Sequence, residues 1–551
     1  MRHVPPVILG LAFGVFAFCW TPNALAQTVS FSSSNLPIVI LDTDGQGIPD
    51  EPKITARMKV IDNGPNTRNT ILDTPTDYDG FIGIEVRGSS SQAFPKKQYA
   101  LETRDAAGEN LNVSLLGMPE ENDWILSAPY SDKSLMRNVL AYELANRMGR
   151  YASRTRFCEV VLNGDYQGVY VLMESIKRDR DRVAINTLRS DEISGDNLTG
   201  GYLIRIDRLD GVEGEGWESN FLPAYATDAR VFYQHREPDP EAIAPEQVAY
   251  IQSFIDDFES TMASETFDDP ATGYPSIVDL GSFVDFFLVN EIAKNIDAYR
   301  LSTYLHKDKD SIDPRLHAGP VWDFNIAFGN ANYSFGDDPT GLQVAYEDLG
   351  DFPTPFWWNK MAESDPFQDA LALRWEELRA GVLHPDSLAE WVDATAARLD
   401  EAQARNFERW PVLGEFVWPN TDGFESRTTY ASEVSYLKQW LQNRGAALDA
   451  AFPVDAGDAP ESASSLQLSM LGPNPAHESA RLSITLATPQ SVILDVFDVQ
   501  GRRVARLHEG ALPIGSTAFT LETESLSAGL YLVRALGEQS ARTERLMVLG
   551  R

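Results

Sequence analysis

Cysteine, histidine and positive charge are all scarce in this chain, and each shortage excludes something. There are 2 cysteines in 551 residues. Cys19 falls in an N-terminal apolar stretch, which leaves Cys158 without an internal disulfide partner. The fold must therefore hold by its core alone, and a chain of this length buries one easily. The 7 histidines are scattered, with no H-E-x-x-H and no C-x-x-C, which argues against a zinc site. Lys and Arg number 46 against 81 Asp and Glu, for a formal charge of -35. So negative a chain is a poor partner for nucleic acid or anionic lipid, because binding phosphate-rich surfaces needs clustered Lys and Arg. It suits basic partners or divalent cations. There is no Walker pattern and no G-x-G-x-x-G loop.

The one long apolar run is N-terminal. Arg2 and His3 precede Val7 to Trp20, and Ala24-Leu25-Ala26 follows Pro22. A short basic region, an apolar region and an A-x-A site read as a secretory signal peptide over 1–26, cut after Ala26. Removing it takes away Arg2 alone among charged residues, so the charge moves from -35 to -36. No transmembrane segment is expected after its removal.

From Ile38 the chain reads as β-rich. Ile82 to Arg87 and Lys97 to Glu102 alternate, and Phe157–Leu162 and Gly168–Met173 flank the turn signal Asn163-Gly164-Asp165. Helical spacing is predicted over Asp132–Met148, Pro245–Met262, Leu280–Lys294, Phe367–Arg379, Ser387–Arg409 and Tyr430–Ala450. The expectation is an α+β main domain over 27–452, β-rich first and helix-rich second, with two lobes and a cleft. Residues 453–465, rich in Pro, Ala, Asp and Ser, read as a linker, and 466–551 as a small β-sandwich.

Two acidic loops carry the chemistry. Asp297 follows the helix ending near Asn290-Glu-Ile-Ala-Lys. Asp323, in Gly319-Pro-Val-Trp-Asp-Phe-Asn325, follows a short apolar segment predicted as a strand. Phosphoryl transfer needs one carboxylate to orient and accept the proton of the attacking hydroxyl, and another to hold the metal that bridges the phosphates. Two loop aspartates of no function remain the alternative. A second constellation is Arg87-Gly88-Ser-Ser-Ser-Gln-Ala-Phe-Pro-Lys96-Lys97. A Gly/Ser turn can aim N–H groups at phosphate. Lys97 shares its strand parity with Tyr99 and Leu101 and so is expected to point inward, Lys96 outward. An ordinary hairpin with a snorkelling lysine is the alternative. Arg137, in the first turns of a helix, suits an anionic ligand or a carboxylate partner. Glu174 ends an apolar strand where the lobes would join. Asp42-Thr-Asp44-Gly-Gln46 resembles the start of a Ca²⁺ loop, but Gln46 and the missing twelfth Glu favour a structural turn.

Taken in order, IVILDTDGQGIPDEPK, IEVRGSSSQAFPKKQYALE, SLLGMPEENDWILSAPYSDKSLMRN, NGDYQGVYVLMESIKRD, NIDAYR and VWDFNIAFG resemble the CotH spore-coat family over roughly 36–450. The resemblance implies a two-lobed kinase-like fold that transfers the ATP γ-phosphate to Ser or Thr of protein substrates, with Mg²⁺ or Mn²⁺. It implies Asp297 as the catalytic Asp, Asp323 as the metal ligand, and Lys97, or else Lys96, as the phosphate lysine; beside these, Asn325 is a candidate second metal donor, and Arg87, Arg137 and Glu174 are candidates for contact with the nucleotide. No His-Arg precedes Asp297, and Ser302 stands where a kinase would carry its metal-binding Asn. Gly472-Pro-Asn-Pro475, Val496-Phe-Asp-Val-Gln-Gly501-Arg502 and Leu526-Ser-Ala-Gly-Leu-Tyr531 resemble type IX secretion sorting domains. That implies an Ig-like sandwich, engagement of the type IX machinery, and export through the periplasm to the cell surface or the medium. Two other functions stay open: an inactive surface structural or adhesion protein on the same scaffold, and a sugar-associated surface protein using Trp357 and Trp358.

Overall fold

The computed structural model describes residues 26–208, 216–223, 229–346, 352–452 and most of 466–548. Residues 1–25 of the signal peptide, the linker and the Gly472–Pro475 and 499–502 parts of the sorting motifs lie outside the described residues.

The strand pair β1 (Ser33–Ser34) and β4 (Asn69–Thr70) stands apart from a closed barrel. The barrel strands are β2 (Ile38–Asp42), β3 (Ile54–Ile61), β5 (Tyr78–Arg87), β6 (Gln98–Arg104), β7 (Asp123–Ser127), β8 (Thr155–Leu162) and β9 (Asp165–Glu174), closed in the order β2-β3-β5-β6-β7-β9-β8. Neighbours run antiparallel except β2 and β8, which close the barrel in parallel. Closure removes the sheet edges. Alternate residues fill the interior: Met58 and Val60, Ile82 and Ile84, Tyr99 and Leu101, Trp124 and Leu126. Cys158 lies among them, and burial pushes its thiol up to about 12, which makes it an inert core residue.

The expected hairpin around Asn163 is β8–β9. It is apolar on both faces because Phe157, Val169, Val171 and Met173 point out of the barrel into the larger core of the helices. Helix α1 (Arg137–Arg147) begins five residues later than its apolar spacing predicts. The Asp132 carboxylate accepts the Ser134 and Arg137 N–H groups at 3.0 and 2.8 Å, so the preceding segment is a capping turn, with Leu135 at φ 64°.

A five-stranded sheet of order β11-β12-β10-β13-β14 follows, from β10 (Tyr202–Ile206), β11 (Gly216–Glu218), β12 (Phe232–Glu237), β13 (Thr303–Lys307) and β14 (Leu316–Ala318). Helices α2 (Pro245–Ala263), α3 (Leu280–Ala293), α4 (Phe356–Ala362), α5 (Asp365–Arg379), α6 (Pro385–Arg409) and α7 (Tyr430–Ala451) complete this part. α3 is buried on all sides, and each fully buried Phe contributes about 1.5–3 kcal/mol. α4 was not expected: Trp357 and Trp358 are core residues at 0% exposure, which removes them as a sugar-stacking platform.

The tail forms two sheets around one core that includes Leu482, Ile484, Leu494, Val496 and Val533. One is β15-β16-β19, from β15 (Leu466–Met470), β16 (Ser479–Leu486) and β19 (Gly515–Glu522). The other is β18-β17-β20-β21, from β17 (Gln490–Asp498), β18 (Arg503–Leu512), β20 (Gly529–Leu536) and β21 (Ala541–Val548).

Candidate functional site

Asp279 caps α3 at its N-terminus by accepting the Ser282 N–H at 2.8 Å. At the other end Lys294 takes a left-handed backbone, φ 41°, and stops the helix. Asp297 follows in a loop that also holds Tyr299 and Ser302 at positive φ, 71° and 49°. Its carboxylate is partly buried and accepts from Arg300 Nη2 at 3.1 Å. Arg300 itself is buried, and its Nε donates to the Ile296 carbonyl at 3.3 Å.

Asp323 does not follow a strand directly. β14 ends at Ala318, and Gly319 to Trp322 form a loop that leads to Asp323 at φ 62°. A left-handed non-glycine residue costs about 1–3 kcal/mol unless its surroundings hold it. Here α1 holds it. The Asp323 N–H donates to the Tyr142 hydroxyl at 3.2 Å, and the Phe324 N–H donates to Asn138 Oδ1 at 2.6 Å. The Tyr142 ring stacks on Trp322 at 5.8 Å and meets Phe324 edge-on.

Asp323 is solvent-exposed as a residue, yet protein atoms crowd around its carboxylate. That crowding pushes its pKa up to about 6, the negative charge of Asp297 adds to the rise, and Arg87 opposes it. Because water still reaches the side chain, the shift is not a measure of stability. Asp207 and Arg208, just past β10, act on it with lesser effect. The β10–β13 register pairs Ile206 with Thr303, so Asp207 is next in register to Ser302. Tyr333 belongs to the same neighbourhood: burial raises its pKa, and so does the Asp297 charge.

Of the residues singled out in the sequence, Arg87 reaches this site. It ends β5, and its guanidinium lies 5.7 Å from the Trp322 ring centre. Asn325 is half-buried two residues beyond Asp323, with its carbonyl accepting from Asn330 Nδ2 at 2.8 Å. The two lysines are elsewhere engaged, and their expected orientations are reversed. Lys96 is the inward one, 1% exposed, and its Nζ donates to the Val169 carbonyl at 2.6 Å and Asn406 Oδ1 at 2.8 Å. Lys97 is half-buried and donates to the Gln92 carbonyl at 2.6 Å. Neither is among the charges that act most on Asp323.

Arg137 found its carboxylate partner: Nη1 lies 2.5 Å from Asp132 Oδ1, and Nε donates to the Phe328 carbonyl at 3.4 Å. It thus ties the start of α1 to the segment that follows Asp323. Glu174 is fully buried and pairs with Arg154 at 2.9 Å. The Asp42 segment is a turn, with the Asp44 N–H donating to Asp42 Oδ1 at 2.9 Å and the Gln46 N–H to the Thr43 carbonyl at 3.0 Å.

The charged groups that act most on Asp323 are the carboxylates of Asp297 and Asp207 and the guanidinium groups of Arg87 and Arg208, with no thiol or imidazole among them. Those carboxylates fit Mg²⁺ or Mn²⁺ and not a soft metal. Crowding by protein first, and the charge of Asp297 second, raise the Asp323 pKa, and a divalent cation bound there would offset the repulsion between the two carboxylates. A different cluster, Asp279, Asp313 and His317, could be read as a metal site, but Arg315 already pairs with both aspartates at 3.0 and 2.7 Å. Two depressions of about 450 and 240 Å³ hold neither Asp297 nor Asp323. The chemistry of the acidic loops, not cavity size, locates the site.

The sequence left Asp207, Arg208, Arg300, Asn138 and Tyr142 unmarked. Only the proximity of Arg300 to Asp297, in NIDAYR, was a usable signal.

Compared with known proteins, residues 84–448, more than half of the chain, match the profile of the family described as "CotH kinase protein". Residues 471–549 match that of the "Secretion system C-terminal sorting domain". The tail is thus a type IX sorting domain, and the protein is exported, to the cell surface or the medium. No helix among the described residues is long and apolar enough to cross a membrane. Over 95 residues the chain is 33% identical to "Inner spore coat protein H" of Bacillus subtilis (strain 168), covering 17% of this chain and 24% of that protein. The chain therefore spans about a quarter of that relative's length in the match. The twitchin kinase region of C. elegans aligns at 11% identity over 82% of this chain and 71% of its own, with a TM-score of 0.12, too low to bear on the fold.

Proposed function

The chain belongs to the CotH family, and from that premise we propose that it is an exported protein kinase transferring the ATP γ-phosphate to Ser or Thr of protein substrates. The observation that carries the reading is the pairing of two acidic loops, Asp297 after α3 and Asp323 held left-handed against α1, close enough for one charge to raise the other's pKa. In this reading the barrel is one lobe and the helical part the other, and the tail is an Ig-like sandwich handed to the type IX machinery.

Asp297 accepts the proton of the attacking hydroxyl and orients it. Arg300, bonded to Asp297 at 3.1 Å, fixes the carboxylate's direction. Asp323 and Asn325 would hold Mg²⁺ or Mn²⁺, with Asp207 supplying a carboxylate beside Ser302, where a kinase's Asn is missing. The ion, when bound, neutralises phosphate charge as the phosphoryl group moves. Arg87 and Arg208 add guanidinium charge for the same phosphates, a role expected of Lys97 or Lys96. Arg87 lies against Trp322, and Arg208 lies 5.1 Å from the Phe352 ring centre.

The mature chain, incubated with labelled ATP, Mg²⁺ or Mn²⁺ and a Ser-rich acceptor protein, should incorporate label that Asp323→Ala abolishes. The second reading, an inactive surface structural or adhesion protein, is favoured by the Asp297–Arg300 ion pair and by the engagement of both lysines. Absence of label together with absence of an ATP-dependent rise in melting temperature would decide for it.

A further inference from the structure

One buried side chain touches both acidic loops. The left-handed Lys294 turns the chain at the end of α3 so that Asn295 points inward, 3% exposed. Its backbone N–H donates to the Asn290 carbonyl at 3.1 Å, which ties it to the last turn of the helix. Its amide oxygen accepts the Asp297 N–H at 3.3 Å, and its amide nitrogen donates to the Asp323 carbonyl at 3.4 Å. The same nitrogen lies 3.5 Å from Asn290 Oδ1, and the Asn290 amide in turn donates to the Phe286 carbonyl at 2.9 Å. The bridge is therefore built on the buried C-terminal part of α3.

We propose that Asn295 is a positioning residue that sets the Asp297 loop at a fixed distance from the Asp323 loop. The proposal rests on the kinase reading above. Two carboxylates of like charge push their loops apart, and both loops already carry left-handed residues. A neutral amide holds them without adding charge, because it offers a donor to one backbone and an acceptor to the other. What it holds is the distance between the group that takes a proton and the group that holds the metal, and in-line transfer depends on that distance. Asn295 touches neither substrate nor metal in this account.

The test compares the mature chain with Asn295→Ala, with Asp323→Ala as the inactive control. Turnover, KM for ATP, melting temperature and Mn²⁺ binding, followed by electron paramagnetic resonance of the free ion, are read on each. Asn295→Ala should lower kcat about 100-fold, while KM for ATP moves less than about threefold and the folded fraction at assay temperature is unchanged. Should it fail to fold, Asn295→Ser, which keeps a hydroxyl for the Asp297 N–H, is read in the same way. Turnover within about threefold of the native chain, or a loss that only follows the folded fraction, overturns the proposal. If the native chain transfers no phosphate, the kinase reading falls by itself. Mn²⁺ binding then decides about Asn295: weakened in Asn295→Ala, it supports the bridge to Asp323; unchanged, it overturns it.

Discussion

If Asp323 is a metal ligand, its affinity for Mn²⁺ must carry the signature of a carboxylate that titrates near pH 6. Crowding by protein, then the charge of Asp297, raises the group from an ordinary carboxylate value to about 6. Protonated Asp323 cannot bind the ion, so the site is competent above that pH and lost below it. The apparent dissociation constant scales with one plus the ratio of protonated to ionised carboxylate, so it should weaken roughly tenfold between pH 7 and pH 5. A carboxylate at its usual value near 4 would change by only about a tenth over the same range. The assay is Mn²⁺ titration without nucleotide, whose phosphate also titrates here, on the native chain, Asp323→Asn and Arg87→Ala. Arg87 lowers the Asp323 pKa, so its removal should move the midpoint to higher pH. Equal affinity at pH 7 and pH 5, or equal affinity in Asp323→Asn, would refute the assignment. A midpoint that does not rise in Arg87→Ala would refute the placement of Arg87.

Two further predictions concern stability. Glu259 on α2 is 1% exposed, accepts from Ser219 at 2.7 Å and Tyr233 at 2.8 Å, and is pushed up to about 7 by burial. A raised acid stabilises the fold below its unfolded pKa and loses that contribution as pH rises through 7, so Glu259→Gln should gain on the native chain by up to about 3 kcal/mol from pH 4 to pH 8. Denaturation followed by tryptophan fluorescence reads it cleanly, because every tryptophan after Trp20 lies between Trp124 and Trp440; a gap independent of pH would sink it. Lys96→Met should lower stability by about 1–3 kcal/mol, through the orphaned Val169 carbonyl and the weakened Asn406 contact, and leave ATP binding unchanged. A selective loss of ATP binding would return Lys96 to the nucleotide.

The sequence made legible what is periodic or punctuated. Helices α2, α3, α5, α6 and α7 begin and end within two residues of their apolar spacing, because caps and Pro sit at their ends, as Asp279 and Thr429 do. Where another force set the local structure, pattern failed. The apolar stripe from Asp132 became a capping turn because one carboxylate captured two N–H groups. Phe356-Trp357-Trp358 gave α4, too short for a period to show. Lys96 and Lys97 take the opposite orientations to those their parity suggests because β6 starts at Gln98, so the alternation that governs Tyr99 and Leu101 does not reach back to them.

The least legible residue is also the one that bears on the main departure from a kinase pattern. Ser302 offers a metal only a hydroxyl where an amide is expected, and the sequence around it offers no substitute. Asp207 lies 95 positions earlier, in a segment with no motif of its own. Only strand pairing brings it in: β10 runs antiparallel to β13, Ile206 meets Thr303, and the next position beyond the ladder sets Asp207 beside Ser302. In the proposed site the oxygen donor is then relocated to a neighbouring strand rather than lost. A sheet can make that exchange where a single loop cannot, because register fixes residues side by side whatever their separation in sequence. Judging the proposed site from the Asp297 loop alone would overlook the Asp207 carboxylate.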